Sequence, residues 1–133
     1  MPQGDPADFS QNIQNLTTAQ MAQLTGTTGA FGQVNNITAH AGGGQAAAFL
    51  LTGAINRITT VATTGDSVKL PPAIAPATLH IVNAAAANTC NVFPSTGDQV
   101  SALGPNIAFP LPAGKMAHLI CTNNGQWHVN LSA

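Results

Sequence analysis

Between residues 79 and 131 the chain alternates apolar and polar side chains in short runs, and Gly, Pro or Asn interrupts it at intervals of about ten residues. The clearest runs are Leu79-His80-Ile81-Val82-Asn83, Cys90-Asn91-Val92-Phe93, Ile107-Ala108-Phe109-Pro110-Leu111 and Trp127-His128-Val129-Asn130-Leu131. A strand has a side-chain period of two, so each run buries one face and wets the other. Residues 48–52, 55–62 and 67–70 extend the pattern upstream, and 100–103 and 116–121 add to it, which makes roughly nine short strands. Half-buried strands of this kind are the usual content of antiparallel sheets. The expected fold is therefore all-β, an antiparallel β-sandwich of jelly-roll or Greek-key type. Asn123-Asn124-Gly125 is its strongest hairpin signal, because Asn-Gly readily takes the positive φ of a tight turn. Val68, Leu70, Leu79, Ile81, Val92, Ile107, Phe109, Leu111, Trp127, Val129 and Leu131 fall on the inward register and are the expected core.

Residues 1–44 are different material, opened by Pro2, Gly4 and Pro6 and then dominated by Gln, Asn, Thr and Gly. Residues 10–24 carry a partial helical pattern, with Ser10 placed as N-cap and Ile13, Leu16, Met21 and Leu24 on one face. Residues 25–44 have no usable period. Phe9, Ile13, Leu16, Phe31, Val34 and Ile37 are spaced like anchors along a segment with too little apolar surface to fold alone. The expectation is an extended or partly helical N-terminal interaction arm over 1–44, followed by a β-sandwich domain over 45–133.

Charge then narrows the functions open to such a chain. Only 5% of its residues are charged, against a usual share of about 25%. It has no Glu and no Tyr, and its net charge is −1. Free monomers rely on charge to resist self-association, so a chain this neutral suits permanent contact with other protein surfaces. Arg57, Lys69 and Lys115 are its whole basic complement, too few to neutralise a phosphate backbone, so no nucleic-acid partner is expected. The longest apolar runs, 45–51 and 79–87, fall far short of the roughly 20 residues of a membrane span. Met1-Pro2-Gln3-Gly4-Asp5 has no basic stretch leading into an apolar one, so the expectation is a protein made in the cytoplasm and kept there until assembly.

The residues that could carry chemistry are few. Cys90 and Cys121 have no Cys or His at zinc-site spacing, and both read as reduced, buried small hydrophobes. His80, His118 and His128 lie on expected strands, where two of them can meet on a sheet face, most simply at a subunit contact. Thr64-Gly65-Asp66-Ser67-Val68 and Thr96-Gly97-Asp98-Gln99-Val100 repeat a Thr-Gly-Asp-x-Val pattern that suits a turn opening a strand. A calcium site needs about six to eight oxygen ligands, far more than two aspartates supply. There is no Gly-x-Ser-x-Gly elbow, no phosphate loop and no His-Glu-x-x-His. No enzyme activity, cofactor or metal is expected.

At Gly65-Asp66-Ser67-Val68-Lys69-Leu70-Pro71, Val82-Asn83, Val92-Phe93-Pro94, Gly97-Asp98, Leu111-Pro112-Ala113-Gly114 and Gly125-Gln126-Trp127-His128 the chain resembles a phage virion domain. The likeness, over about residues 55–131, is to the small β-domains of capsid decoration (cement) proteins and related accessory proteins of tailed bacteriophages. It implies a structural protein on the capsid surface that docks on the major capsid protein, often as a trimer, and clamps neighbouring capsomers. A head-fibre or tail-fibre domain for attachment or for receptor or glycan binding is the alternative it leaves open.

Overall fold

The computed structural model describes residues 32–42 and 44–133. Among these residues ten strands run in chain order as β1 (Gln33–Thr38), β2 (Phe49–Leu50), β3 (Ile55–Thr60), β4 (Ser67–Lys69), β5 (Ala77–Asn83), β6 (Cys90–Phe93), β7 (Gln99–Val100), β8 (Phe109–Leu111), β9 (Met116–Asn123) and β10 (Gln126–Leu131). They form a six-stranded sheet, β1-β3-β5-β9-β10-β7, and a four-stranded sheet, β2-β4-β6-β8. Through β6 the chain visits the two sheets in strict alternation, and each return to a sheet is parallel to the strand laid down before it. Gln33 lies beside Ile55 and Ile55 beside His80, so one circuit takes 22 to 25 residues. Beyond β6 the direction reverses. β8 runs antiparallel to β6 and β9 antiparallel to β5, and the β9–β10 hairpin extends the larger sheet.

The molecule is thus a short β-solenoid with a hairpin at its C-terminal end, and the expected antiparallel sandwich is overturned. Alternation reports which face of a strand is buried, and it carries no information on which strand lies alongside. Pairing direction is decided by where each connection leads. The stretches 61–66 and 70–76, the second stiffened by Pro71, Pro72 and Pro76, pass the chain to the opposite sheet instead of turning it back beside itself. The next strand in the first sheet therefore starts at the same end as its predecessor. Only where Asn123-Asn124-Gly125 closes a tight turn, with Gly125 at φ 84°, does the chain double back into the expected hairpin.

Parallel stacking lines up equivalent side chains in ladders. Phe49, Val68, Val92 and Phe109 are successive register partners across the four-stranded sheet, and the last three are buried. Across the other sheet Val34, Asn56, Ile81 and Ala117 make a corresponding row. Leu51, Ile58, Leu70, Leu79, Leu111, Leu119 and Trp127 fill the space between. Of the expected core, Val68, Leu70, Leu79, Ile81, Val92, Phe109, Leu111 and Trp127 are buried and Val129 packs against them. Ile107 and Leu131 are exposed. Ile107 precedes β8 in an irregular stretch after Asn106 (φ 65°), so strand alternation does not reach it. Leu131 is the last residue of β10, in a six-stranded sheet that the four-stranded one cannot back along its full width.

Close stacking of coils also fixes one glycine. A Cβ on Gly53 would collide with the Gly32 carbonyl oxygen and lie 2.9 Å from Val34 Cγ2. The same Gly32 oxygen accepts the Ile55 N–H at 3.2 Å, so β1 cannot retreat without losing that bond. Gly53→Ala is expected to cost about 1–3 kcal/mol by overpacking. Denaturant unfolding measures the loss, and amide exchange should localise it to Gln33–Thr38.

Candidate interaction face

Among the described residues, the six-stranded sheet presents the broader of the two sheet faces. Asn56 and Ile58 of β3, Leu79, Ile81 and Asn83 of β5, and Ala117, Leu119 and Cys121 of β9 point inward and are buried. The period of two sends the residues between them outward. Ile55, His80, His118 and Asn130 form one row across four strands, with Arg57, Val82 and Met116 on one side of it and Thr78, Ile120 and His128 on the other. Ile55, Met116 and Ile120 are 48%, 43% and 40% exposed. Arg57 is the one charged side chain in these rows, and its Nη1 donates to Asn35 Oδ1 at 3.0 Å. A sheet face that exposes three large apolar residues beside a single charge resembles the core of a protein–protein contact more than a solvated surface.

At its centre the His80 and His118 rings stack with centroids 4.4 Å apart and planes 4° from parallel. Thr78 Oγ1 lies 3.1 Å from His118 Nε2. Imidazole lone pairs lie in the ring plane, so two stacked parallel rings cannot both aim at one ion. The pair is built to pack, not to chelate. Among the described residues, no group of three or more His, Cys, Asp or Glu stands where it could hold a metal ion.

Burial, and secondly the charge of His118, lower the His80 pKa from its ordinary 6.5. The folded state therefore binds this proton more weakly than the unfolded chain does. Stability is full above pH 6.5 and declines as the pH falls below it toward the folded value. Thermal midpoints measured from pH 7.5 to 5 should fall. His118→Gln, which removes the neighbouring charge, should flatten that fall without abolishing it, because burial is the larger cause.

The two Thr-Gly-Asp turns serve the fold. Asp66, 2% exposed, accepts the Gly42 N–H on Oδ1 at 3.1 Å and the Thr63 N–H on Oδ2 at 3.0 Å, tying its turn to the preceding coil. Asp98 accepts the Ala73 N–H on Oδ2 at 2.8 Å. One turn leads into β4 of the four-stranded sheet and the other into β7 of the six-stranded sheet, so the repeat in sequence is not a repeat in position. Cys90 and Cys121 are both free and buried, and burial with the nearby Asp66 charge pushes the Cys90 thiol up to about 12.

Of the residues expected to anchor an arm, Phe9, Ile13, Leu16 and Phe31 lie outside the described residues, as does the helical pattern at 10–24. Val34 and Ile37 belong to β1, in register with the buried Asn56 and Ile58, and point into the solenoid. Ile37 is core and Val34 packs against it, so neither is free to grip a partner. On the outward face of the six-stranded sheet the exposed large apolar side chains are instead Ile55, Met116 and Ile120. Their signal in the sequence was parity: in Met116-Ala117-His118-Leu119-Ile120-Cys121 both faces of one strand carry large apolar residues. Comparison with family models, curated proteins and solved structures gave no match.

Proposed function

We propose that this chain is a structural protein of a tailed-bacteriophage virion, a decoration (cement) protein that binds the assembled head and packs there as a homo-oligomer, a trimer in the simplest case. The observation that carries the reading is the outward face of the six-stranded sheet, with Ile55, Met116 and Ile120 exposed around stacked histidines and Arg57 as its one charge. Such a face supports contact with other neutral protein surfaces, here the major capsid protein and further copies of the chain. Each contact is weak, and repetition by the symmetry of a shell makes the sum strong. A solenoid suits the task mechanically, because its backbone bonds cross from coil to coil and tie the strands of the face together under load.

Quantitative mass spectrometry of the purified particle tests the reading. Copies in proportion to the capsomers are expected. Copies matching the vertices or the tail would replace the shell role with a head-fibre or tail-fibre role, and absence from the particle would end the virion reading altogether.

A further inference from the structure

The β9–β10 turn carries the one Asn-Gly pair of the chain, Asn124-Gly125. Asparagine is a thermolabile residue, and a following glycine makes it more so, because no side chain shields the glycine nitrogen. In deamidation the Gly125 nitrogen attacks Asn124 Cγ. The new C–N bond closes a five-membered succinimide, the Cγ–Nδ2 bond breaks, and ammonia leaves with the Gly125 amide proton. Water then opens the ring at one carbonyl or the other, giving aspartate or isoaspartate and one added negative charge. Water is the only co-reactant.

Both reacting groups are held by the connection between β4 and β5. The Gly125 N–H donates to the Ala73 carbonyl at 2.9 Å, and Asn124 Oδ1 accepts the Ala75 N–H at 2.8 Å. That connection is itself fixed, since Ala73 is 4% exposed and its N–H donates to Asp98 Oδ2 at 2.8 Å. The Gln99 N–H also donates to the Gly125 carbonyl at 3.0 Å. A donor on Oδ1 alone would polarise Cγ toward attack, but the nitrogen that must attack has its proton engaged elsewhere. Asn124 is exposed, so hydrogen bonding, not exclusion of water, holds the reaction off.

We propose that Asn124 is a deamidation site locked by residues 70–76, so that opening of this corner admits a covalent change that hinders its closing again. The isoaspartyl product adds a methylene to the backbone of a two-residue turn, which pulls Gly125 out of line with Ala73 and Gln99. Either product places a carboxylate on the corner that Asp98 already occupies, where a Cβ on Gly125 would stand 3.9 Å from Asp98 Oδ1. Like charges then oppose closure. The inference is independent of what the protein binds.

Peptide mapping by mass spectrometry tests it. The full chain is incubated in mildly alkaline buffer, folded and in urea, beside a linear peptide with the sequence of residues 119–129. The urea-unfolded chain should deamidate at Asn124 at the peptide's rate, and the folded chain ~10-fold or more slowly, because ring closure waits on local opening. Equal rates in the folded chain and the peptide would overturn the proposal. Amide exchange on the same unsubstituted protein should find the Gly125 N–H protected, and free exchange there would overturn it too. Asp98→Ala, which releases Ala73, should speed deamidation of the folded chain several-fold while the β9 and β10 amides stay protected. A folded Asp98→Ala protein that deamidates at the parent's rate would show that the turn protects itself, against the proposal. Should that variant not fold, the rate comparison and the Gly125 exchange decide the matter without it.

Discussion

Ile120→Lys should leave the protein folded and weaken its binding to the particle by at least ~100-fold, the equivalent of about 2.7 kcal/mol. Ile120 stands on the outward face of β9, between Thr78 of β5 and His128 of β10, and none of its neighbours in register is an acid. In the free protein a lysine there stays in water on a long stem, so the thermal midpoint should hardly move. Pressed against another neutral surface, the ammonium loses its hydration and gains no partner, which costs several kcal/mol. Ile120→Val keeps the face apolar and should bind almost normally. Co-sedimentation with particles stripped of the protein, together with a melting curve for each variant, separates loss of contact from loss of fold. A lysine variant that binds like the parent would show that this face is not where partners meet.

The largest effect on stability is expected at a buried amide. Asn83 closes β5 and is fully buried. Its Nδ2 donates to the Leu111 carbonyl at 2.9 Å and to the Asn88 carbonyl at 3.1 Å, and its Oδ1 accepts the Ala85 N–H at 3.1 Å. One side chain therefore joins β5, its following corner and β8 of the opposite sheet. Asn83→Ala leaves two carbonyls and one N–H in the interior without partners. At about 1–3 kcal/mol for each unsatisfied group, partly relieved by water entering the gap, the loss should be about 3–5 kcal/mol. In a domain of this size that is a fall in thermal midpoint of about 10–20 °C. Asn83→Asp should fare no better, since a carboxylate presents an acceptor to two carbonyl oxygens. A loss below about 1 kcal/mol for the alanine variant would show that these bonds are replaced locally.

The strands themselves were legible from alternation and turn residues, and β3 to β6 and β8 to β10 lie close to where those signals put them. Their partnership was not legible, because Val68 faces inward whether its neighbour runs parallel or antiparallel. The evidence for coils was spatial: Phe49, Val68 and Val92 line up at unequal sequence spacings, so no fixed repeat announces them. β1 was hidden for a related reason. Gln33-Val34-Asn35-Asn36-Ile37-Thr38 breaks its alternation at the Asn36 bulge, and the tract reads as irregular until β3 is laid beside it. For the candidate face, the meeting of two histidines on a sheet was foreseeable from their placement on strands. That Ile55 would sit in the same row as both was not, since that row depends on the parallel β3–β5 pairing.

Met116 offers the most direct test that the outward face is the packing surface. It is 43% exposed on that face and in register with Val82. Hydroxyl-radical footprinting of the free protein and of the purified particle compares its oxidation in the two states. Ile74, 65% exposed on the connection between β4 and β5, serves as a reference away from these rows. Burial of the face in the assembly predicts that Met116 oxidation drops in the particle while labelling of Ile74 persists. Equal oxidation of Met116 in the free and assembled states would contradict it.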